Sequence, residues 1–158
     1  MAGSHIVLAT RSSDKAREIR EILGGTLRTD ITTLDAAGIE ADPAEDSIEI
    51  HDTFLANAHA KAAYFIRLTG RATIADDSGI SVDALGGAPG VRSRRFAARP
   101  GLDGVELDRA NNERLLHELR DTPEPLRNAH YTCAAVLHLP DGRRFSSVGT
   151  CSGRILQQ

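Results

Sequence analysis

The stretch Ile74-Ala75-Asp76-Asp77-Ser78-Gly79, IADDSG, closes a short apolar run that begins at Arg71. An apolar run of that length, bounded by turn formers, reads as a central β-strand. Two adjacent carboxylates at its end repel each other and are costly to take out of water. Something cationic is expected beside them: a lysine of the fold, a metal ion, or both. Upstream lies the Ala-rich segment from Ser47 to Leu68, which reads as a helix of high intrinsic propensity. Downstream, GISVDALGGAPGVRSRRFA is punctuated by Gly86, Gly87, Pro89 and Gly90 and reads as loop.

The rest of the chain repeats this alternation. HIVLAT, His5 to Thr10, is a buried strand, and the helix after it carries Ala16, Ile19, Ile22 and Leu23 on one face, with Gly24-Gly25 as its stop. A second strand and an acidic loop are expected between Thr29 and Ser47. A further helix over 103–121 has Leu107, Ala110, Leu115, Leu116 and Leu119 as its apolar side. AHYTCAAVLHL and RRFSSVGTCSGRI flank Pro140-Asp141-Gly142 as an antiparallel hairpin. Strands alternating with helices, without repeats or linkers, predict one mixed α/β domain over residues 1–158.

Composition narrows the function classes. With 158 residues, 41% of them hydrophobic, the chain can bury a core of its own. A net charge of −3 with 26% charged residues speaks against a general nucleic-acid or membrane-surface binder. Aromatics at 4%, with no Trp, speak against a base-stacking platform. Cys133 and Cys151 alone do not make a disulfide scaffold and point to a reducing compartment. No apolar run spans a bilayer and no signal-peptide pattern opens the chain, so a cytoplasmic location is expected.

Three groups of residues could carry chemistry. At the strand-to-helix corner Thr10-Arg11-Ser12-Ser13-Asp14-Lys15, free N–H groups and the helix dipole favour an anion. Arg11 and Lys15 oppose that dipole, a local cost that a bound phosphate would reverse; an ordinary N-cap by Ser12 or Ser13 accounts for the same residues. The spacing is not that of a P-loop. Glu49, Thr53, Asn57 and Lys61, four apart, form a polar stripe if one helix runs through all of them, facing either a cleft or solvent. In the third group, Asp76 and Asp77 point to opposite faces of their strand, so one of them enters a given site. Alternatively Asp76 caps a turn, or an Asx-turn leads into Ser78-Gly79. Mg²⁺ takes carboxylate oxygens, waters and substrate phosphates, which suits Glu49 with one of the aspartates and Lys15 and Lys61 on phosphate.

LATRSSDKAREIREIL, DTFLANAHAKA, IADDSGISVDALGGAPGVRSRRFA and HYTCAAVLHLPDGR, in this order from about residue 5 to residue 155, resemble the inosine triphosphate pyrophosphatase family, also called the Ham1 or dITP/XTP pyrophosphatases. The resemblance implies a long twisted mixed sheet flanked by helices, with two lobes around a central cleft. It implies Mg²⁺-dependent hydrolysis of ITP, dITP and XTP to the monophosphate and pyrophosphate, which cleanses the nucleotide pool, and a homodimer. By position it makes Thr10, Arg11, Ser12, Ser13, Asp14 and Lys15 the phosphate-binding segment, with Lys61, Ser78 and Arg95 as further substrate contacts. Glu49 and Asp77 would hold the metal, and Asp77 would accept the proton of the attacking water, with Asp76 turned away into a structural role.

Three departures stand out. Ser12 occupies the family's Asn position, and Ile50-His51 stands where Thr-Gly is usual. At CSGRILQQ the chain stops where family members continue with a Gly-rich GFGYDP segment, a distal lysine and an SHR motif that serve base recognition, so the implied domain is C-terminally incomplete. Two other readings follow: a family remnant that binds nucleotide, or is only structural, with little turnover; and a phosphoacceptor aspartate like those of receiver domains, which the helix order and lysine spacing fit poorly.

Overall fold

The computed structural model describes residues 5–24 and 30–157. Its centre is a five-stranded sheet in the order β2-β1-β3-β4-β5. Strand β1 (Ile6–Leu8) is flanked by parallel β2 (Ile31–Thr33) and parallel β3 (Thr73–Val82). Pairs in register include Val7 with Thr32 and Leu8 with Ile74. Strands β4 (Asn128–His138) and β5 (Arg144–Arg154) follow as a hairpin closed by the Leu139–Arg143 turn, which makes the sheet mixed. Three helices accompany it: α1 (Ser13–Gly24), α2 (Phe54–Thr69) and α3 (Gly104–Glu118). Gly24 ends α1 as expected, and Gly25 lies outside the described residues.

Two elements depart from the sequence reading. The aspartates do not end a strand: β3 runs from Thr73 to Val82 straight through Asp76, Asp77 and Ser78. Apolar text alone stops at Ala75. The acids are tolerated inside the strand because side chains from α1 and α2 each bond to one of their oxygens, and Ser93 serves the strand beyond, its Oγ accepting from Ile80 N at 2.9 Å. Gly79 is required by that last approach, since a Cβ there would come 2.7 Å from the Gly90 carbonyl oxygen. The second departure is the start of α2, at Phe54 and not at Ser47. A short 3-10 turn, Pro43–Ser47, precedes it, and Thr53 is the N-cap, accepting Ala56 N on its hydroxyl.

By its internal contacts the chain divides into two compact units, residues 1–77 with 134–147, and residues 78–133 with 148–158. In the first, Val7, Ala9, Ala58, Ala62, Phe65 and Ala75 pack β1, α2 and β3 together. The alanines of α2 allow its close approach to the strands, which is why its polar residues come within reach of β3. In the second, Val82, Leu115, Leu119 and Ala129 form the core, so α3 uses the apolar face its sequence predicts. There Arg127, 3% exposed, donates to the Thr122 and Leu119 carbonyls and ties the end of α3 to the start of β4. Among the described residues no helix is long and apolar enough to cross a membrane.

Candidate active site

The first unit gathers two lysines and three carboxylates about the middle of β3. Asp76 and Asp77 are 4% and 8% exposed, so each needs a partner inside the protein. Lys15, in the first turn of α1, donates from Nζ to Asp76 Oδ2 at 2.8 Å. Ser12 Oγ accepts from Lys15 N at 3.3 Å, and Thr10 Oγ1 from Ser12 N at 3.2 Å, which sets the corner that aims the lysine. On α2, Lys61 donates to the Asp76 carbonyl at 2.8 Å and forms an ion pair with Glu49. Asn57, one turn earlier, donates from Nδ2 to Asp77 Oδ2 at 2.9 Å.

These partners answer the problem posed by the paired acids. Their strand geometry gives them different partners, Lys15 for one and the Asn57 amide for the other. The carboxylate of Asp76 is not turned away from the candidate phosphate lysine but bonded to it, because α1 packs its first turn against the strand at that point. Glu49 is not on α2 either. It reaches Lys61 from the loop between the 3-10 turn and Thr53, so the stripe is completed by a loop and not by a continuous helix. His51, at the departure from family pattern, contributes its backbone: its N–H donates to Asn57 Oδ1 at 2.9 Å.

Arg11 is committed elsewhere. Its guanidinium donates to Glu45, Asp35 and the carbonyls of Ile39 and Glu40, and so pins down the acidic loop instead of reaching β3. Hydrogen bonding to Arg11 is the chief reason the Glu45 carboxyl lies below its ordinary range, and the same bond raises the Arg11 value. Ser13 begins α1, and Asp14 in its first turn lies 3.7 Å from Arg17. In the second unit, Ser78 Oγ accepts from the Tyr131 hydroxyl at 3.1 Å, and Arg95 ends the 3-10 turn Gly90–Arg95. The roles of Asn57 and of the Asp76 carboxylate were not apparent in the sequence. The only signal was the four-residue spacing of Thr53, Asn57 and Lys61.

Among the described residues no three His, Cys, Asp or Glu side chains come together to hold a metal. Two carboxylates, Glu49 and Asp77, still offer the hard oxygen donors that Mg²⁺ prefers, and such an ion completes its shell with water and phosphate. The buried Asp76 Oδ1 has no hydrogen-bond partner among the described residues, so this strand carries more acceptor capacity than their donors satisfy. The donor set therefore fits a hard divalent cation.

Fold and site together define a mixed α/β protein that brings two lysines and three carboxylates to one central strand, an arrangement suited to phosphate chemistry. The chain belongs to the Ham1 family, whose model matches residues 6–158. It is 44% identical over 140 residues to a dITP/XTP pyrophosphatase of Streptomyces avermitilis, covering 88% of this chain and 66% of that protein. It is 42% identical to one of Exiguobacterium sibiricum, covering 95% and 71%. The crystal structure of a nucleoside-triphosphatase / dITP/XTP pyrophosphatase of Mycobacterium abscessus superposes with a TM-score of 0.75 at 33% identity, over 97% of this chain and 75% of that one. The chain thus spans roughly two thirds to three quarters of the length of these relatives.

Proposed function

We propose that this chain is a nucleoside triphosphate pyrophosphatase that hydrolyses non-canonical purine nucleotides, dITP, ITP and XTP, to the monophosphate and pyrophosphate. The observation that carries the reading is the double use of β3: Lys15 and Lys61 are fixed on Asp76, while Asp77 is oriented separately beside them. The names of the relatives, dITP/XTP pyrophosphatase, support the substrate class.

In this reading Asp77 orients and deprotonates the water that attacks the α-phosphorus. A new P–O bond forms to that water oxygen, the bond from the α-phosphorus to the α,β-bridging oxygen breaks, and pyrophosphate leaves. Lys15 and Lys61 meet the phosphate charge, with the dipole at the start of α1 behind them. Lys15 on Asp76 and Lys61 on Glu49 are each held in place before substrate binds. Ser78 and Arg95 are carried over as substrate contacts on family likeness alone. Glu49 and Asp77 would hold Mg²⁺, which when bound supplies neutralisation of phosphate charge and a more acidic water. A homodimer, a cytoplasmic location and residues 1–158 acting as one Ham1-like domain belong to the same reading, on family likeness.

The test is release of pyrophosphate from dITP, XTP, dGTP and dATP, with and without Mg²⁺. Metal-dependent pyrophosphate from dITP or XTP, lost in Asp77→Asn by at least ~100-fold as expected for a proton acceptor, is the expected result. A folded wild type without turnover would instead leave a chain that at most binds nucleotide.

A further inference from the structure

We propose that Asn57 is a positioning residue that locks the Asp77 carboxylate to the loop carrying Glu49, and so sets the separation of the two carboxylates; this rests on the pyrophosphatase reading of the same site.

Asn57 is 1% exposed, in the first part of α2 and beside the buried Ala58, Ala62 and Phe65. It is a weak helix former in a helix otherwise rich in alanine and leucine. Capping does not need it, because Thr53 Oγ1 already serves Ala56 N and the backbone N–H of Asn57 bonds to Thr53 O at 3.1 Å. What the side chain does is bridge two elements. Its amide orientation is fixed by chemistry: the His51 N–H can only donate, so Oδ1 faces it and Nδ2 faces Asp77. Both bonds are 2.9 Å.

The bridge matters because of what lies at its two ends. Glu49 is two residues before His51, on the loop that Asn57 holds by its backbone. Lys61, one turn along the same face of α2, holds the Glu49 carboxylate and the Asp76 carbonyl. One helix face therefore grips β3 twice and the Glu49 loop twice. Without Asn57 the Asp77 carboxylate loses its 2.9 Å bond to α2, and residue 51 loses its tether at the same moment. A buried amide lost in this way is a constraint on distance, beyond its contribution to packing.

Asn57→Ala and Asn57→Asp test this through Mg²⁺ dependence, with Mn²⁺ affinity read by electron paramagnetic resonance in the absence of nucleotide. Outer partners of metal-holding groups are worth ~10–100-fold in affinity or rate. Asn57→Ala is expected to lower kcat and raise the Mg²⁺ concentration for half-activation by factors in that range, and to weaken Mn²⁺ binding similarly. KM for dITP at saturating Mg²⁺ should move less than about 3-fold, since the phosphate-binding lysines are untouched. Asn57→Asp keeps shape and the acceptor for His51 but faces Asp77 with a like charge; its kcat should fall at least as far. A folded Asn57→Ala whose Mg²⁺ half-activation and Mn²⁺ affinity match the wild type overturns the proposal, however much its melting temperature drops. So does an Asn57→Asp with wild-type kcat. If the wild type hydrolyses no triphosphate yet binds Mn²⁺ more tightly than Asn57→Ala, the pyrophosphatase reading falls and the role of Asn57 stands.

Discussion

At the scale of single residues, the paired aspartates are the central problem, and Lys15 is the answer to half of it. Asp76 is 4% exposed and its Oδ1 is already without a partner, so its charge rests on the Lys15 ammonium at 2.8 Å. Removing the cation leaves an uncompensated buried carboxylate, which costs far more than the pair contributes when intact. Lys15→Met is therefore expected to lower stability by about 2–3 kcal/mol, below the range for fully buried broken pairs because solvent reaches part of the lysine. Adding Asp76→Asn to that variant should recover most of the loss, since the amide needs no counter-charge. Urea unfolding of the two single variants and the double variant measures the coupling. A loss in Lys15→Met below ~0.5 kcal/mol, the level of an exposed pair, would mean that the lysine is not what compensates Asp76. The sequence showed that a cation was needed here. It could not show which one, because Lys15 and Asp76 are 61 positions apart and only the packing of α1 on β3 joins them.

At the scale of elements, α2 is held to its neighbours on both sides. Its Asn57 and Lys61 face β3, while His59 meets His138 of β4, Nδ1 to Nε2 at 2.9 Å. Two ring nitrogens at that distance share one proton, one donating and the other accepting. His138 is 3% exposed, and its value is lowered first by burial, then by its electrostatic neighbours Arg144 and His59. A histidine kept neutral in the fold but free to protonate when unfolded destabilises the native state as pH falls. Its contribution is fully present above the ordinary value of 6.5 and is lost as pH drops from there through the lowered folded value. Across that window the wild type should lose up to ~1.4 kcal/mol per pH unit relative to His138→Gln; parallel stability profiles for the two proteins would contradict it. Most elements were legible from apolar periodicity, α3 above all, because Leu115 and Leu119 do enter its core and Ala110 is buried. Two boundaries were not. Polar residues at Asp76–Ser78 hid the continuation of β3, whose acids are satisfied by side chains remote in sequence. Helical propensity from Ser47 onward hid the loop before α2, where capping by Thr53 overrides it.

At the scale of the whole molecule, the sheet has an unusual border. Strand β5 is last in the strand order, and all of its residues are exposed from Arg144 to Arg154. Phe145 and Val148 are 53% and 54% exposed on it. Edge strands are normally guarded by interior charges, proline, bulges or a covering element, because their open N–H and C=O groups template pairing with another chain. In β5 the only charges are the two terminal arginines, and there is no proline between them. A net charge of −3 gives weak repulsion between copies. For the chain of 158 residues, association through this strand is the expected outcome, and it is separable from the homodimer of the proposed function. Apparent mass by light scattering should rise with concentration in the wild type. Val148→Lys, which places a charge in the middle of the strand, should hold the species at a lower mass over the same range. Equal masses for both proteins would show that β5 does not pair, and a dimer that persists in Val148→Lys has its interface elsewhere.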